Sequence, residues 1–159
     1  MKRYSIIFLQ AVIVIISIVA LFILVRFPLT EGRAEKLDLF SIYFDPFILY
    51  GYASSIAFFV ALYKAFILLG YIAKDKLFTL NSIKTLRSIK YCALILCVSM
   101  VTAGIFIRIF HNKEDDPAGF LAICIMIIFI SITVAITMAV LEKILQNAVD
   151  LKSENELTI

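Results

Sequence analysis

From Tyr4 to Val25 the chain reads YSIIFLQAVIVIISIVALFILV, twenty-two residues without one charged side chain. A helix of that length rises about 33 Å at 1.5 Å per residue, and the hydrocarbon core of a bilayer is about 30 Å thick. The stretch therefore reads as a membrane span. Met1-Lys2-Arg3 before it and Arg26 behind it close the run with positive charge. The run is longer than the roughly 7–15 residues of a signal-peptide core, and no small-x-small cleavage pattern precedes Arg26, so it reads as a retained anchor.

The rest of the chain repeats the theme. Of 159 residues 63% are hydrophobic and only 17% charged, with a mean hydropathy of +1.03. A soluble domain has roughly half its residues apolar and about a quarter charged, so this chain lacks the polar surface to coat a ball in water. Three further spans are expected, over about 47–73, 91–107 and 118–141. The second follows Asp45-Pro46, where proline suits a first helical turn. The third lies between Lys90 and Arg108, and the fourth opens at Asp116-Pro117, a cap followed by proline. The expected fold is an all-α membrane protein, a four-transmembrane-helix bundle in one membrane domain over 1–159. Its last helix extends past the membrane as an amphipathic tail over about 142–159.

Lysine and arginine set the expected orientation. With four spans, one side holds Lys2, Arg3, Lys74, Lys76, Lys84, Arg87, Lys90, Lys143 and Lys152, and the other Arg26, Arg33, Lys36, Arg108 and Lys113. Nine against five places both termini in the cytoplasm. Tyr4, Tyr71 and Tyr91 fall at the inner boundary and Tyr43, Tyr50 and Tyr52 at the outer, as an aromatic belt requires.

Small residues mark where helices meet in lipid. Ala53, Ala57, Ala61 and Ala65 form one stripe on the second span, and Ser131, Ala135 and Ala139 another on the fourth, beside Thr133 and Thr137. The two stripes are expected at the bundle centre. The first outer loop, about Phe27 to Asp45, carries Leu37, Leu39, Phe40, Ile42, Tyr43 and Phe44, too few to span and suited to the interface.

Chemistry-bearing residues are sparse. Cys92, Cys97 and Cys124 lie in apolar runs without metal-ligand spacing and read as small buried side chains. His111 is a lone histidine, and Glu114, Asp115 and Asp116 read as a solvated loop ending in a helix cap. No glycine-rich phosphate loop, HExxH or G-x-S-x-G is present, so neither an enzyme nor a cofactor or metal is expected. Lys64 stands out because an intramembrane lysine is costly and marks function by default. If its span ends near Ala73, Lys64 lies about 13 Å inside and needs a partner. Gln10, Cys97, Thr133 and Thr137 are expected at similar depth, and Glu142 is the nearest inner acid. If the span ends near Tyr63, Lys64 is an interfacial anchor instead.

Two segments outside the spans carry helical apolar spacing. Between Lys74 and Tyr91, Leu80, Ile83, Leu86 and Ile89 alternate with Lys84, Arg87 and Lys90, and Asn81 or Ser82 is the expected cap. After the fourth span, Leu141, Ile144, Leu145, Ala148 and Val149 continue the stripe. Either the two segments pack on each other with their bases toward anionic lipid, or Lys84, Arg87, Lys90, Ile144, Leu145 and Val149 form a docking surface for a cytosolic partner.

In three places the sequence resembles a bacterial membrane-protein family known as domain of unknown function 2975. They are ALYKAFILLGYIAKDKLFT over 61–79, the run Ser82 to Lys90, and the tail LEKILQNAVDLKSENELTI over 141–159. The resemblance implies a four-span protein of the bacterial plasma membrane, of a kind often encoded beside a small helix-turn-helix regulator. Two functions are expected to compete. One is a regulatory membrane protein that holds a cytosolic DNA-binding protein without itself touching nucleic acid. The other is a small transporter, channel subunit or immunity-type protective protein, homo-oligomeric, with Lys64 in its interior.

Overall fold

The structure, a computed structural model, describes residues 2–30, 46–110 and 118–157, with only the backbone at 2–3, 27–30, 110, 153 and 155–157. The expectations for the apolar outer-loop residues, for His111 and for Glu114 to Asp116 lie outside the described residues. Within them the chain forms four helices: α1 (Lys2–Thr30), α2 (Pro46–Ala73), α3 (Leu80–Phe110) and α4 (Ala118–Leu157). All four are long and apolar enough to cross a membrane. At 29, 28, 31 and 40 residues, each exceeds the roughly 20 that a bilayer needs. A helix satisfies its own backbone hydrogen bonds, which is why so apolar a chain spans in this form.

Each helix runs antiparallel to the next. Tyr52 Oη donates to the Leu24 carbonyl at one end of α1–α2, and Gln10 Nε2 to the Phe66 carbonyl at the other. Phe47 stacks on Phe106 across α2–α3, and Tyr50 Oη donates to the Ser99 carbonyl at 2.9 Å. The tightest interface is α3–α4. Buried residues on α3 include Leu86, Ile89, Ala93 and Ala103, and on α4 Cys124, Ser131, Ala135, Glu142 and Leu145. Within each set the intervals follow the alternating three-and-four repeat of knobs-into-holes packing. The small members let the backbones approach, which in lipid replaces the hydrophobic drive that water supplies.

Backbone contact among the described residues is confined to these sequential neighbours: α1 on α2, α2 on α3, α3 on α4. The two small-residue stripes therefore do not meet at a common centre. Ser131 and Ala135 are buried against α3, while Ala139 is exposed at the edge. Ala57 and Ala61 lie two and three turns from Tyr50, on the face whose tyrosine bonds Ser99 of α3. Ala57, Ala61 and Ala65 are half-buried and Ala53 is exposed. The enclosed members of both stripes lie toward α3, because sequential antiparallel neighbours claim the small faces first.

The α2–α3 turn, residues 74–79, is fixed from both sides. The Lys76 N–H reaches the Tyr71 carbonyl at 2.9 Å and the Asp75 N–H the Ile72 carbonyl at 3.2 Å, the paired bonds of a Schellman ending. Asp75 takes the left-handed position, φ 53°, that glycine usually fills. The expected cap of α3 shifts by two or three residues. Its first intrahelical bond runs from Ile83 to the Thr79 carbonyl, so Thr79 takes the cap position. Ser82 lies inside the helix and its hydroxyl donates back to the Lys76 carbonyl at 3.1 Å. Burial explains the shift: Ser82 is fully enclosed under the turn.

Candidate functional site

The end of the molecule that carries the 74–79 turn gathers the start of α3 and the close of α4. There Ile83, Leu86 and Leu145 form a buried cluster, with Leu68, Leu77, Met138 and Val149 packed against it. The apolar stripes on α3 and α4 thus turn inward onto each other and onto α2. Leu145 is buried and Val149 half-buried, whereas Ile144 stays exposed.

Above this cluster, in the direction of the apolar spans, sits a charged clasp. Glu142 directly follows the apolar run of α4 and is only 9% exposed. Arg87 Nε donates to its Oε1 at 2.7 Å, and Lys90 Nζ to its Oε2 at 2.6 Å. Arg87 and Lys90 are three residues apart on α3 and so share a face. One carboxylate thereby satisfies two cations and ties α3 to α4. Lys90 also lies 5.3 Å from the Tyr91 ring centroid, within cation–π range. The Lys90 hydrogen bond, opposed by burial and supported by Arg87, holds the Glu142 carboxyl below the usual carboxylate range.

Lys64 stands beside this clasp without joining it. It is half-buried on α2, with its ammonium in electrostatic reach of the Cys92 sulfur on α3. It makes no hydrogen bond or ion pair among the described residues. Its level is thus that of Lys90 to Cys92, where the apolar run of α3 begins. On the other side of the molecule apolar sequence continues past this level, through Phe66 on α2 and Ile7 to Leu9 on α1, all exposed. Gln10 reaches the α2 backbone two residues from Lys64. Thr133 and Thr137 close on the carbonyls of Phe129 and Thr133 in their own helix, and both are exposed. The polar residues expected around Lys64 are therefore not assembled into one site, and Glu142 is engaged by Arg87 and Lys90.

Two stripes at this end remain open. On α3, Leu80, Lys84 and Arg87 follow one another at helical spacing, all exposed, with Phe78 beside them in the turn. On α4, Ile144 and Leu151, seven residues apart, share an exposed face. The Arg87–Glu142 pairing was missed in the sequence, although a signal was available. Among residues 46–149 the acids are Asp75, Glu114, Asp115, Asp116 and Glu142, and of these only Glu142 lies within a described helix.

Fold and clasp together define a helical membrane protein of four candidate spans with a charged, packed base. The chain belongs to the family described as "Protein of unknown function (DUF2975)", whose model matches residues 28–159. It is 38% identical over 161 aligned positions, spanning 100% of both chains, to a protein of Bacillus subtilis (strain 168) called "Uncharacterized membrane protein YoaS". The resemblance read from 61–79, 82–90 and the tail is thereby borne out. No solved structure matches the chain.

Proposed function

We propose that the chain is a non-catalytic regulatory protein of the bacterial plasma membrane that holds a cytosolic partner at its basic end. Both termini lie in the cytoplasm in this reading. Lys74, Lys76, Lys84, Arg87, Lys90, Lys143 and Lys152 belong to the same end of the antiparallel row, against Arg26 and Arg108 at the other, in keeping with the positive-inside rule. The observation that carries the reading is the braced base. From Glu142 to Leu157 α4 continues sixteen residues past its apolar run, about 24 Å. The Arg87–Glu142–Lys90 clasp and the Leu86 cluster hold it against α3. Such a base presents Leu80 and Lys84 on a fixed frame, a combination of apolar contact and positive charge that suits an acidic protein surface. The partner proposed is a cytosolic DNA-binding regulator, the kind that the family resemblance implies.

The test is in-cell crosslinking of the tagged protein, mild detergent extraction and mass spectrometry, comparing wild type with Lys84→Glu. Lys84 is exposed, so its reversal spares the fold. Partner recovery is expected to fall about tenfold at unchanged membrane abundance, and equal recovery contradicts the reading. A second reading draws on Lys64, which has no ion-pair partner among the described residues. There the chain is a transporter, channel subunit or protective protein whose interior is completed by further copies.

A further inference from the structure

At the end opposite the clasp the four helices leave a cavity of about 340 Å³. It lies where α4 stands off from α1 and α2. Phe47 and Phe120, their ring centroids 5.6 Å apart, form its rim. Small residues create the space: Ala20 on α1, Gly51 and Ser54 on α2, Ala103 on α3, Cys124 on α4. From Phe47 to Ser54 it descends about 10 Å along α2. The lining is almost wholly apolar, and Tyr50 and Tyr52 both spend their hydroxyls on backbone carbonyls.

Ser54 is the exception. It is 5% exposed and lines the cavity. Its hydroxyl makes no hydrogen bond among the described residues, and since no fully enclosed side-chain oxygen there lacks a partner, its oxygen is open to the cavity rather than sealed. Hydroxyls in apolar helices ordinarily bond the carbonyl four residues back, as Ser17, Thr85, Ser88, Thr102, Thr133 and Thr137 do here. Ser54, Ser99 and Ser131 do not, and of these three Ser54 alone lines the cavity. An unmade bond in a water-poor setting is costly. An apolar cavity with one polar group is the usual form of a small-molecule site, and 340 Å³ falls in the range of about 300–1,000 Å³ that such sites occupy. At about 30 Å³ for each water-sized unit, it admits roughly eleven non-hydrogen atoms.

We propose that this cavity binds one small membrane-dissolved apolar molecule carrying a single hydroxyl or carbonyl oxygen, with Ser54 as its hydrogen-bond partner. A bilayer acyl chain fills such a space but leaves Ser54 unpaired. The required ligand is instead an aliphatic or aromatic alcohol or ketone of about ten carbons. The site lies at the far end of the molecule from the clasp and does not depend on the docking reading.

The probe is 1-decanol, with undecane as the control of equal atom count lacking oxygen. Protein reconstituted in phosphatidylcholine vesicles is labelled with a diazirine analogue of 1-decanol, and adducts are mapped by mass spectrometry. Labelling is expected on the peptides holding Phe47–Ser54 and Phe120–Ile127, and 1-decanol should compete at least about tenfold better than undecane. Ser54→Ala should erase the advantage of the alcohol while labelling persists. Gly51→Leu should weaken labelling by occupying part of the cavity; the Cβ it adds meets nothing within 4 Å. Adducts spread evenly over the lipid-facing sides of α1 and α4 would overturn the proposal. So would equal competition by alcohol and alkane, the result that an acyl-chain occupant gives.

Discussion

Glu142 is where the molecule concentrates its electrostatics. With both oxygens engaged at 2.7 and 2.6 Å, its replacement by Gln leaves Lys90, whose side chain is 22% exposed, without a counter-charge. Exposed pairs contribute about 0–1 kcal/mol and fully buried ones cost about 3–5 kcal/mol when broken. Glu142→Gln is accordingly expected to destabilise by about 1–3 kcal/mol, read as thermal unfolding in detergent. The pH dependence has a fixed sign. Because the folded state lowers the Glu142 titration, the clasp contributes above the ordinary carboxylate range and is lost as pH falls through the lowered value. Stability should hold from pH 8 to 5 and drop below that, and Glu142→Gln should lack this acid-dependent loss. Lys64 gives the opposite expectation. It forfeits no ion pair among the described residues, so Lys64→Met should leave abundance and partner recovery unchanged. A phenotype lost with that variant alone would move the function into the spans.

At the scale of elements, the spans were readable because apolar length in a bilayer is a one-dimensional property. Tyr4 to Val25 follows from counting residues between charges. Lys64, by contrast, breaks the second run and leaves Tyr63 and Ala73 as alternative ends, of which the helix itself reaches Ala73. The partnering of α3 with α4 required a register, which no single segment carries. Lys84, Arg87, Lys90, Ile144, Leu145 and Val149 share helical spacing in the sequence. Only the antiparallel alignment separates Leu145, which is buried, from Ile144, which is not. The cap of α3 was misplaced for a related reason: Ser82 looks like a cap locally but is buried by tertiary packing. Two substitutions probe these elements. Leu86, 2% exposed at the centre of the cluster, should cost about 2–5 kcal/mol as Leu86→Ala. Asp75→Gly should stabilise the α2 ending by about 1 kcal/mol, since glycine takes the left-handed position without a Cβ penalty. Both are read as shifts in detergent melting at matched protein concentration.

As a whole the molecule is an antiparallel row with a braced base at one end and a cavity at the other. Basic residues collect where α3 and α4 leave their apolar runs, and the outer face of α4 offers Ile125, Met126, Phe129 and Ile136 to lipid. Ser54 and the cavity were invisible in the sequence because the space arises where the backbone of α4 stands off from those of α1 and α2. The docking reading needs the base to be both cytoplasmic and in contact with protein. One measurement addresses both, namely in-cell photocrosslinking from a photoreactive side chain placed at the exposed Asn81 beside Lys84, with Ile109 at the other end of α3 as the control position. A discrete adduct with a cytosolic protein from position 81 and none from Ile109 is the predicted result. Adducts with lipid alone at both positions, or a cytosolic adduct from Ile109, would contradict the proposed function.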